Sequence, residues 1–382
     1  MVDQITYRNY RKGDEEQLAD LFNLSFQMNG GSFIKTRKVV EWRYVNSPDF
    51  EPEMIQIAED NEADKIVGAV YANLIEDINI EGKMYKMGDI NDVSCHPDYT
   101  KRGIATTLMD NAIKYMKEKG CDFSMLTAAY NGHARKKIYL KKGYYDYVRE
   151  NTFIYFPNVV KLMKDVPILA LLFPALLMNS YFPRLVNRIK FKRRPFFRNI
   201  SYEYVYNQDH FEFMNAINRI APKYYSAYPV YNKVKFTWAR IKVPSKRYQP
   251  LYIILRMNDE IIGGTALTYQ NLYAFKFGVK IRVCIIHDLF LDETKFKSEQ
   301  NINLGYKFLI DRIIKAATQR FIGVIIYSTP KNALKLNKAL KESNFLSLTG
   351  GTIMVNSFKE NVPFPYLSNP IFLPTYISLS FP

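Results

Sequence analysis

The sequence predicts an α/β fold with mixed sheets, organised as two similar domains, and three observations lead there. The chain of 382 residues exceeds what one hydrophobic core usually organises. Strand-like apolar runs marked by glycine alternate with stretches of helical period. The sequence also matches itself: a shift of 196 residues places Tyr10 on Tyr206, Glu16 on Glu212, Trp42 on Trp238, Pro48 on Pro244, Gly68 on Gly264, Gly82 on Gly278 and Asp92 on Asp288, with no gap. Trp42 and Trp238 are the chain's two tryptophans, so their landing in register favours duplication over chance. The expected domains are 1–155 and 201–358, with an apolar and basic helical linker at 156–200 and an extended tail at 359–382.

Within the first copy, 3–10 reads as a strand, followed by helices near 14–27 and 35–45 and strands near 54–60, 65–77 and 85–95. Lys65-Ile66-Val67-Gly68-Ala69-Val70 corresponds to Ile261-Ile262-Gly263-Gly264-Thr265-Ala266, and both are strand patterns with a glycine at the same place. A helix near 103–119 carries Ile104, Leu108, Ala112, Tyr115 and Met116 on one face and Lys114, Lys117 and Lys119 elsewhere, the pattern of core packing. Its basic last turn and the following Gly120 suit the negative end of the dipole and a left-handed stop. A strand near 122–128, a helix near 132–142 and a last strand near 144–155 complete the copy.

Hydrophobic residues at 48% and aromatic residues at 15% exclude a chain dominated by disorder. Cys95, Cys121 and Cys284 are the three cysteines and show no C-x-x-C spacing, which argues against a disulfide framework and a cysteine metal site. The start, Met1-Val2-Asp3-Gln4, lacks the basic and apolar regions of a secretion signal, so the expected location is cytoplasmic. Charge is uneven. Residues 1–150 hold 21 Lys and Arg against 24 Asp and Glu, leaving 32 against 13 beyond them. The basic excess of the second half suits an acidic substrate or anionic lipid as well as simple solubility. No nucleic-acid motif accompanies it.

The segment Asp92-Val93-Ser94-Cys95-His96-Pro97-Asp98-Tyr99-Thr100-Lys101-Arg102-Gly103-Ile104-Ala105-Thr106 carries the chemistry. A strand ends at Pro97, a short loop follows and a helix opens at Gly103. That turn gathers unpaired N–H groups, the positive end of a helix dipole and the cations of Lys101 and Arg102, a site for an anion such as a pyrophosphate. Gly103 lets the backbone approach phosphates closely, and Ala105 keeps the turn uncrowded. The same residues also suit a plain basic turn at the start of an amphipathic helix. Further on stands Asn131-Gly132-His133-Ala134-Arg135-Lys136-Lys137-Ile138-Tyr139-Leu140-Lys141-Lys142-Gly143-Tyr144.

In order and placement these two segments resemble the acetyl-CoA motifs of the GNAT acetyltransferase superfamily. The pyrophosphate loop of that family reads Arg/Gln-x-x-Gly-x-Gly/Ala; this chain has Thr100-Lys101-Arg102-Gly103-Ile104-Ala105, with Thr100 departing from the first position. Asn131, Ala134, Tyr139, Gly143 and Tyr144 match the second motif, with one residue more than usual between Ala134 and Tyr139. The resemblance implies acetyl-CoA as co-substrate and an amine acceptor, a small molecule or a peptide. It implies that the backbone at Ser94 and Cys95 meets pantetheine, that Lys101, Arg102, Gly103, Ile104, Ala105 and Thr106 surround the pyrophosphate, and that Asn131 belongs to the cofactor site. Tyr139 would protonate the departing thiolate, because a phenol with a pKa of about 10 keeps its proton at neutral pH. The base stays open among Asp92 and Asp89, on the strand that feeds the site, and His133, near in sequence; the recurrence of Asp92 as Asp288 also suits a structural role.

In the second copy, Asp288 leads through Glu293-Thr294-Lys295-Phe296-Lys297-Ser298-Glu299-Gln300 to Asn301-Ile302-Asn303-Leu304-Gly305, read here as preceding the helix. The basic pair beside the glycine is missing, and the counterpart of Tyr139 is Leu340, so this copy is expected to be degenerate. The arrangement is similar to tandem-GNAT proteins such as the mycothiol synthases and the enhanced-intracellular-survival acetyltransferases, which implies an acceptor cleft shaped by both copies. A catalytically silent binding or scaffold protein is the alternative. The run Val166–Met178 is almost wholly apolar, is too short and too interrupted by proline to span a bilayer, and precedes Lys190-Phe191-Lys192-Arg193-Arg194. Inter-domain packing and a peripheral anchor on anionic membrane both fit it.

Overall fold

The computed structural model describes residues 5–27, 32–178, 180, 189, 195–206, 211–274, 278–360, 362 and 371. The first half contributes β1 (Ile5–Asn9), β2 (Ser32–Phe33), β3 (Ile55–Asp60), β4 (Lys65–Ile80), β5 (Lys83–Cys95), β6 (Phe123–Ala129) and β7 (Tyr145–Tyr155). The second contributes β8 (Ile200–Tyr206), β9 (Ala227–Pro229), β10 (Leu251–Met257), β11 (Glu260–Ala274), β12 (Val279–Leu291), β13 (Val324–Pro330) and β14 (Leu346–Ser357). Contacts group the chain into two compact units, neither contiguous in sequence: 1–149 with 226–244 and 351–382, and 150–225 with 245–350.

In the first unit the sheet runs β1-β3-β4-β5-β6-β14. Its neighbours are antiparallel except β5 and β6, which are parallel. Strand β4 is apolar from Ile66 to Ala72, where both of its faces are covered. Val67, Val70, Ala72 and Leu74 pack with Ile104, Leu108, Ala112 and Met116 of the helix Ile104–Glu118. Ile66, Ala69 and Tyr71 pack with Leu18, Ala19 and Leu21 of the helix Glu15–Gln27. The predicted amphipathic face of the 104–118 helix is therefore its buried face. A Cβ on Gly68 would lie 2.6 Å from Ile104 Cγ2 and 3.0 Å from Leu108 Cδ1, so the absence of a side chain there seats the first turn of that helix directly on β4.

Residues 226–244 complete this unit. Strand β9 pairs with the far end of β4, Ile78 opposite Pro229 and Ile80 opposite Ala227. Trp42 and Trp238, the pair brought together by the sequence shift, hydrogen-bond reciprocally: Trp42 Nε1 donates to the Trp238 carbonyl at 3.0 Å and Trp238 Nε1 to the Trp42 carbonyl at 2.6 Å. Both sit on single π-helical turns, Glu41–Val45 and Thr237–Ile241.

The second unit repeats the order as β8-β10-β11-β12-β13-β7, again antiparallel except for one parallel pair, β12 and β13. The irregularities recur as well. Register shifts fall between Ala69 and Tyr71 and between Gly264 and Ala266, and Asp92 and Asp288 both take positive φ, 46° and 52°. The units depart from the expected boundaries 1–155 and 201–358 in their last strands. Residues 150–155 of β7 pair with β13, whereas residues 351–357 of β14 pair with β6. The linker's helix Val159–Asp165 and 3₁₀ turn Pro167–Leu172 belong to the second unit. Lys190–Arg194, and the tail apart from 359, 360, 362 and 371, lie outside the described residues. No helix among the described residues is long and apolar enough to cross a membrane.

Candidate active site

Strands β5 and β6 pair from Met87 opposite Phe123 to Ile90 opposite Leu126, and then part; β5 continues to Cys95 and β6 to Ala129 without a shared ladder. The parting coincides with the bulge that sets Asn91 opposite Tyr71 but Ser94 opposite Ala69. Beyond it the His96 amide donates to the Val67 carbonyl at 2.8 Å. Backbone groups alternate sides along an antiparallel strand, so the Ser94 amide also faces β4 and the Cys95 amide faces the opening between β5 and β6. Of the two residues expected to meet pantetheine, only Cys95 directs its amide to the opening, while its carbonyl accepts from Ser25 Oγ at 2.9 Å; the Ser94 hydroxyl donates to the Asp92 carbonyl at 2.8 Å.

After the 3₁₀ turn Pro97–Tyr99, Lys101 and Gly103 both take positive φ, 66° and 82°, and the 104–118 helix begins with Gly103 as its N-cap. The amides of Thr106 and Thr107 both donate to the Gly103 carbonyl at 3.0 Å. Those of Gly103, Ile104 and Ala105 have no acceptor among the described residues. A Cβ on Gly103 would meet nothing within 4 Å, so the chain is open at the first of these three donors. Thr106, expected among the phosphate ligands, is corrected to a residue with a committed amide and only its side chain to offer. Lys101 and Arg102 are exposed beside the turn. The Arg102 guanidinium lies 4.7 Å from the Tyr99 ring centroid, and Tyr99 is held by a 2.7 Å hydrogen bond to Asp60, which orients the cation. Open amides, a dipole end and two cations fit a diphosphate.

Tyr139 closes a π-helical turn, Arg135–Tyr139, which absorbs the extra residue between Ala134 and Tyr139. The chain then passes through Leu140–Lys142 and Gly143 at φ 86° into Tyr144, whose hydroxyl lies 2.7 Å from Ser124 Oγ. Asn356 Nδ2 donates to the Lys142 carbonyl at 2.9 Å and fixes this end. Tyr139 is buried in the cluster of Ile90, Ile104, Leu108 and Leu126, against which Cys95 packs, so the fold brings the two motifs together. Its phenol makes no hydrogen bond among the described residues, and burial raises its pKa above the ordinary value. It is protonated at neutral pH and able to donate. Asn131 lies exposed in the turn after β6. The Cys95 thiol, 3.7 Å from the His96 and Tyr99 carbonyl oxygens, is pushed up by burial despite the Arg102 charge, which makes it a poor nucleophile.

Asp92 has a different environment from that of a general base. Its carboxylate is buried, ion-paired with Lys35 and hydrogen-bonded by Tyr44. Burial works against its ionisation, but the charges of Lys35 and Arg43 and those two hydrogen bonds outweigh it and hold the pKa below the carboxylate range. Lys35, in turn, is lowered by burial and by Arg43, and its ammonium lies 3.8 Å from the Phe22 ring centroid. The expected proton-accepting role gives way to an anchor: Asp92 sits at the bulge in positive φ and ties β5 to the 32–45 segment. Sequence reasoning missed Lys35 and Tyr44, which lie 57 and 48 residues away and carry no local signal.

The corresponding turn of the second unit is built differently. Its helix begins at Glu299 and runs to Gln319, so Asn301–Gly305, expected before the helix, lie inside it. Ser298 caps the helix by accepting from the Asn301 amide at 3.3 Å, and Glu299 places a carboxylate in the first turn. Gly305 serves packing, since a Cβ there would come within 2.7 Å of the Phe296 ring. Leu340 is core. Four residues after Asp288, Asp292 accepts from Lys223 Nζ at 2.9 Å, Tyr224 at 2.8 Å and Thr294 Oγ1 at 2.6 Å. Burial opposes its ionisation, yet these bonds lower its pKa to about 2. A carboxylate depressed on folding stabilises fully above its unfolded pKa, so this contribution fades as pH falls from about 4 towards 2. Denaturation of Asp292→Asn should lack that acid-sensitive step; an unchanged acid profile would refute the assignment.

Residues 6–147 match the family model described as an acetyltransferase (GNAT) domain. Among solved structures, Saccharomyces cerevisiae N-myristoyltransferase with bound myristoyl-CoA superposes with a TM-score of 0.69 at 12% identity, covering 93% of this chain and 83% of that one. A conserved Enterococcus faecalis protein described as a probable N-acyltransferase gives 0.55 at 11% identity, covering 92% and 72%. A GCN5-related N-acetyltransferase from Anabaena variabilis gives 0.55 at 12% identity with the same coverage. At such identities these likenesses speak for the fold. No curated protein sequence matches the chain.

Proposed function

We propose that this chain, an acyltransferase whose residues 6–147 are a domain of the GNAT superfamily, transfers an acetyl group from acetyl-CoA to an amine. The single observation that carries the reading is the trio of amides at Gly103, Ile104 and Ala105 with no acceptor among the described residues, beside Lys101 and Arg102. Acetyl-CoA supplies an activated carbonyl carbon and a thiolate leaving group. The three amides hold its diphosphate by charge-assisted hydrogen bonds. The Cys95 amide, on the open edge of β5, orients the donor or polarises its carbonyl. As the amine nitrogen bonds to the carbonyl carbon and the C–S bond breaks, Tyr139 gives its proton to the sulfur. The proton that the acylated nitrogen sheds passes to water, because Asp92 is engaged, and water in turn restores the Tyr139 phenol, leaving amide and free thiol. We read the second unit as a degenerate copy of the first, so one donor binds per chain.

Thermal unfolding with a series of acyl-CoA donors tests this. The series runs from acetyl-CoA to myristoyl-CoA, because the yeast enzyme that shares this fold was solved with the latter. A donor at about 100 times its Kd should add about 2.7 kcal/mol of stability. Gly103→Val, which forces a branched residue to φ 82° and so distorts the turn, should abolish that gain. If no donor shifts the unfolding temperature and none releases free thiol with amino acids, peptides, aminoglycosides or sugar nucleotides, the proposal is wrong.

A further inference from the structure

We infer that residues 159–178 of the second unit form a docking surface for an anionic membrane. The helix Val159–Asp165 starts from Asn158, whose side chain accepts from the Lys161 amide at 2.9 Å, and it buries Val159 and Leu162 in the unit. That anchoring turns Val160 outward. The following 3₁₀ turn, Pro167–Leu172, buries none of its residues: Ile168 is 76% exposed and Leu171 85%, with Leu172 and, further on, Met178 also exposed. A shallow groove beside them is lined by Val160, Met163, Lys164, Ala170 and Phe173. A single exposed Leu needs no explanation, but a contiguous run of large aliphatic side chains on one short segment marks a surface made to be covered.

Charge identifies what covers it. The sequence from 156 to 200 contains nine Lys and Arg and one acidic residue, Asp165. Asp165 is neutralised by its ion pair with Lys161. An apolar patch in a basic segment suits a partner that is apolar inside and anionic at its rim, which is an anionic bilayer; aliphatic side chains would enter the headgroup boundary while the cations met lipid phosphates and carboxylates. The segment lies on such a surface and does not cross it, since Pro167 and Pro174 interrupt it. Nothing in this inference depends on the acyl-transfer reading.

Vesicle flotation of the full chain tests it, with phosphatidylcholine vesicles against vesicles that also contain phosphatidylserine. Wild type should float with the anionic vesicles alone at about 0.1 M salt and be released at about 1 M, as the Debye length falls from about 10 Å to about 3 Å. The Ile168→Glu, Leu171→Glu double variant should bind about a hundredfold more weakly, roughly tenfold for each lost aliphatic contact, with an unchanged circular-dichroism spectrum because both side chains are solvent-facing. Failure to float with anionic vesicles at low salt, or equal flotation of the double variant, overturns the proposal. A concentration-dependent wild-type dimer that the same variant dissolves also overturns it, by assigning the patch to self-association.

Discussion

Tyr139→Phe lowers kcat by about a hundredfold or more, leaves the Kd for the acyl donor unchanged, and leaves the unfolding temperature unchanged or slightly raised. Loss of a positioned proton donor typically costs a factor of about 10² to 10⁴. The ring of Tyr139 belongs to the buried cluster that Phe would fill equally well, and its hydroxyl has no hydrogen-bond partner among the described residues to lose. A purely structural tyrosine would therefore be silent in this substitution, which makes kcat the discriminating readout. Because burial raises the phenol's pKa, the wild-type rate should show no alkaline decline from Tyr139 until well above the ordinary tyrosine value. Single-turnover transfer separates chemistry from product release. Full activity in the Phe variant removes Tyr139 from the mechanism.

Lys35→Met destabilises the first unit by about 3–5 kcal/mol in mildly acidic buffer, because it strands the buried Asp92 carboxylate. Lys35 is only 2% exposed, and water cannot take its place cheaply. Replacing both partners, Lys35→Met with Asp92→Asn, should recover part of the loss, since it removes the stranded carboxylate while the buried Arg43 loses the charge it faced. Urea denaturation of the four proteins in a double-mutant cycle measures the coupling. Additive effects of about 1 kcal/mol each would show that the pair is not an anchor. Donor binding in the surviving variants gives a second readout, because Asp92 holds the β5 bulge that turns the Cys95 amide towards the opening.

Much of the site was legible in the residues themselves, for a physical reason. Helix starts, open amides and amphipathic faces are decided within a few residues. Gly103 at positive φ, the three open donors at Gly103, Ile104 and Ala105 and the buried face from Ile104 to Met116 all follow from local sequence. The extra residue between Ala134 and Tyr139 was visible as a misfit, and a π turn absorbs it while leaving Tyr139 in the cluster beneath the 104–118 helix. In the second unit, local reading found the missing cations but misplaced the helix start. Ser298 caps a helix that begins at Glu299, upstream of the expected start, and Ile302, Leu304 and Gly305 are buried on it.

By itself the sequence determined the repeat, the order of strands and helices in each copy, and the anion-ready turn between His96 and Thr106. Tertiary structure alone decided three things: that Asp92 is locked by Lys35 and Tyr44, that the matched tryptophans bond to each other, and that each unit's sheet ends on a strand from the other half of the sequence. Local periodicity and capping act over a few residues, whereas ion pairing and strand pairing select partners by distance in space, which no spacing along the chain encodes.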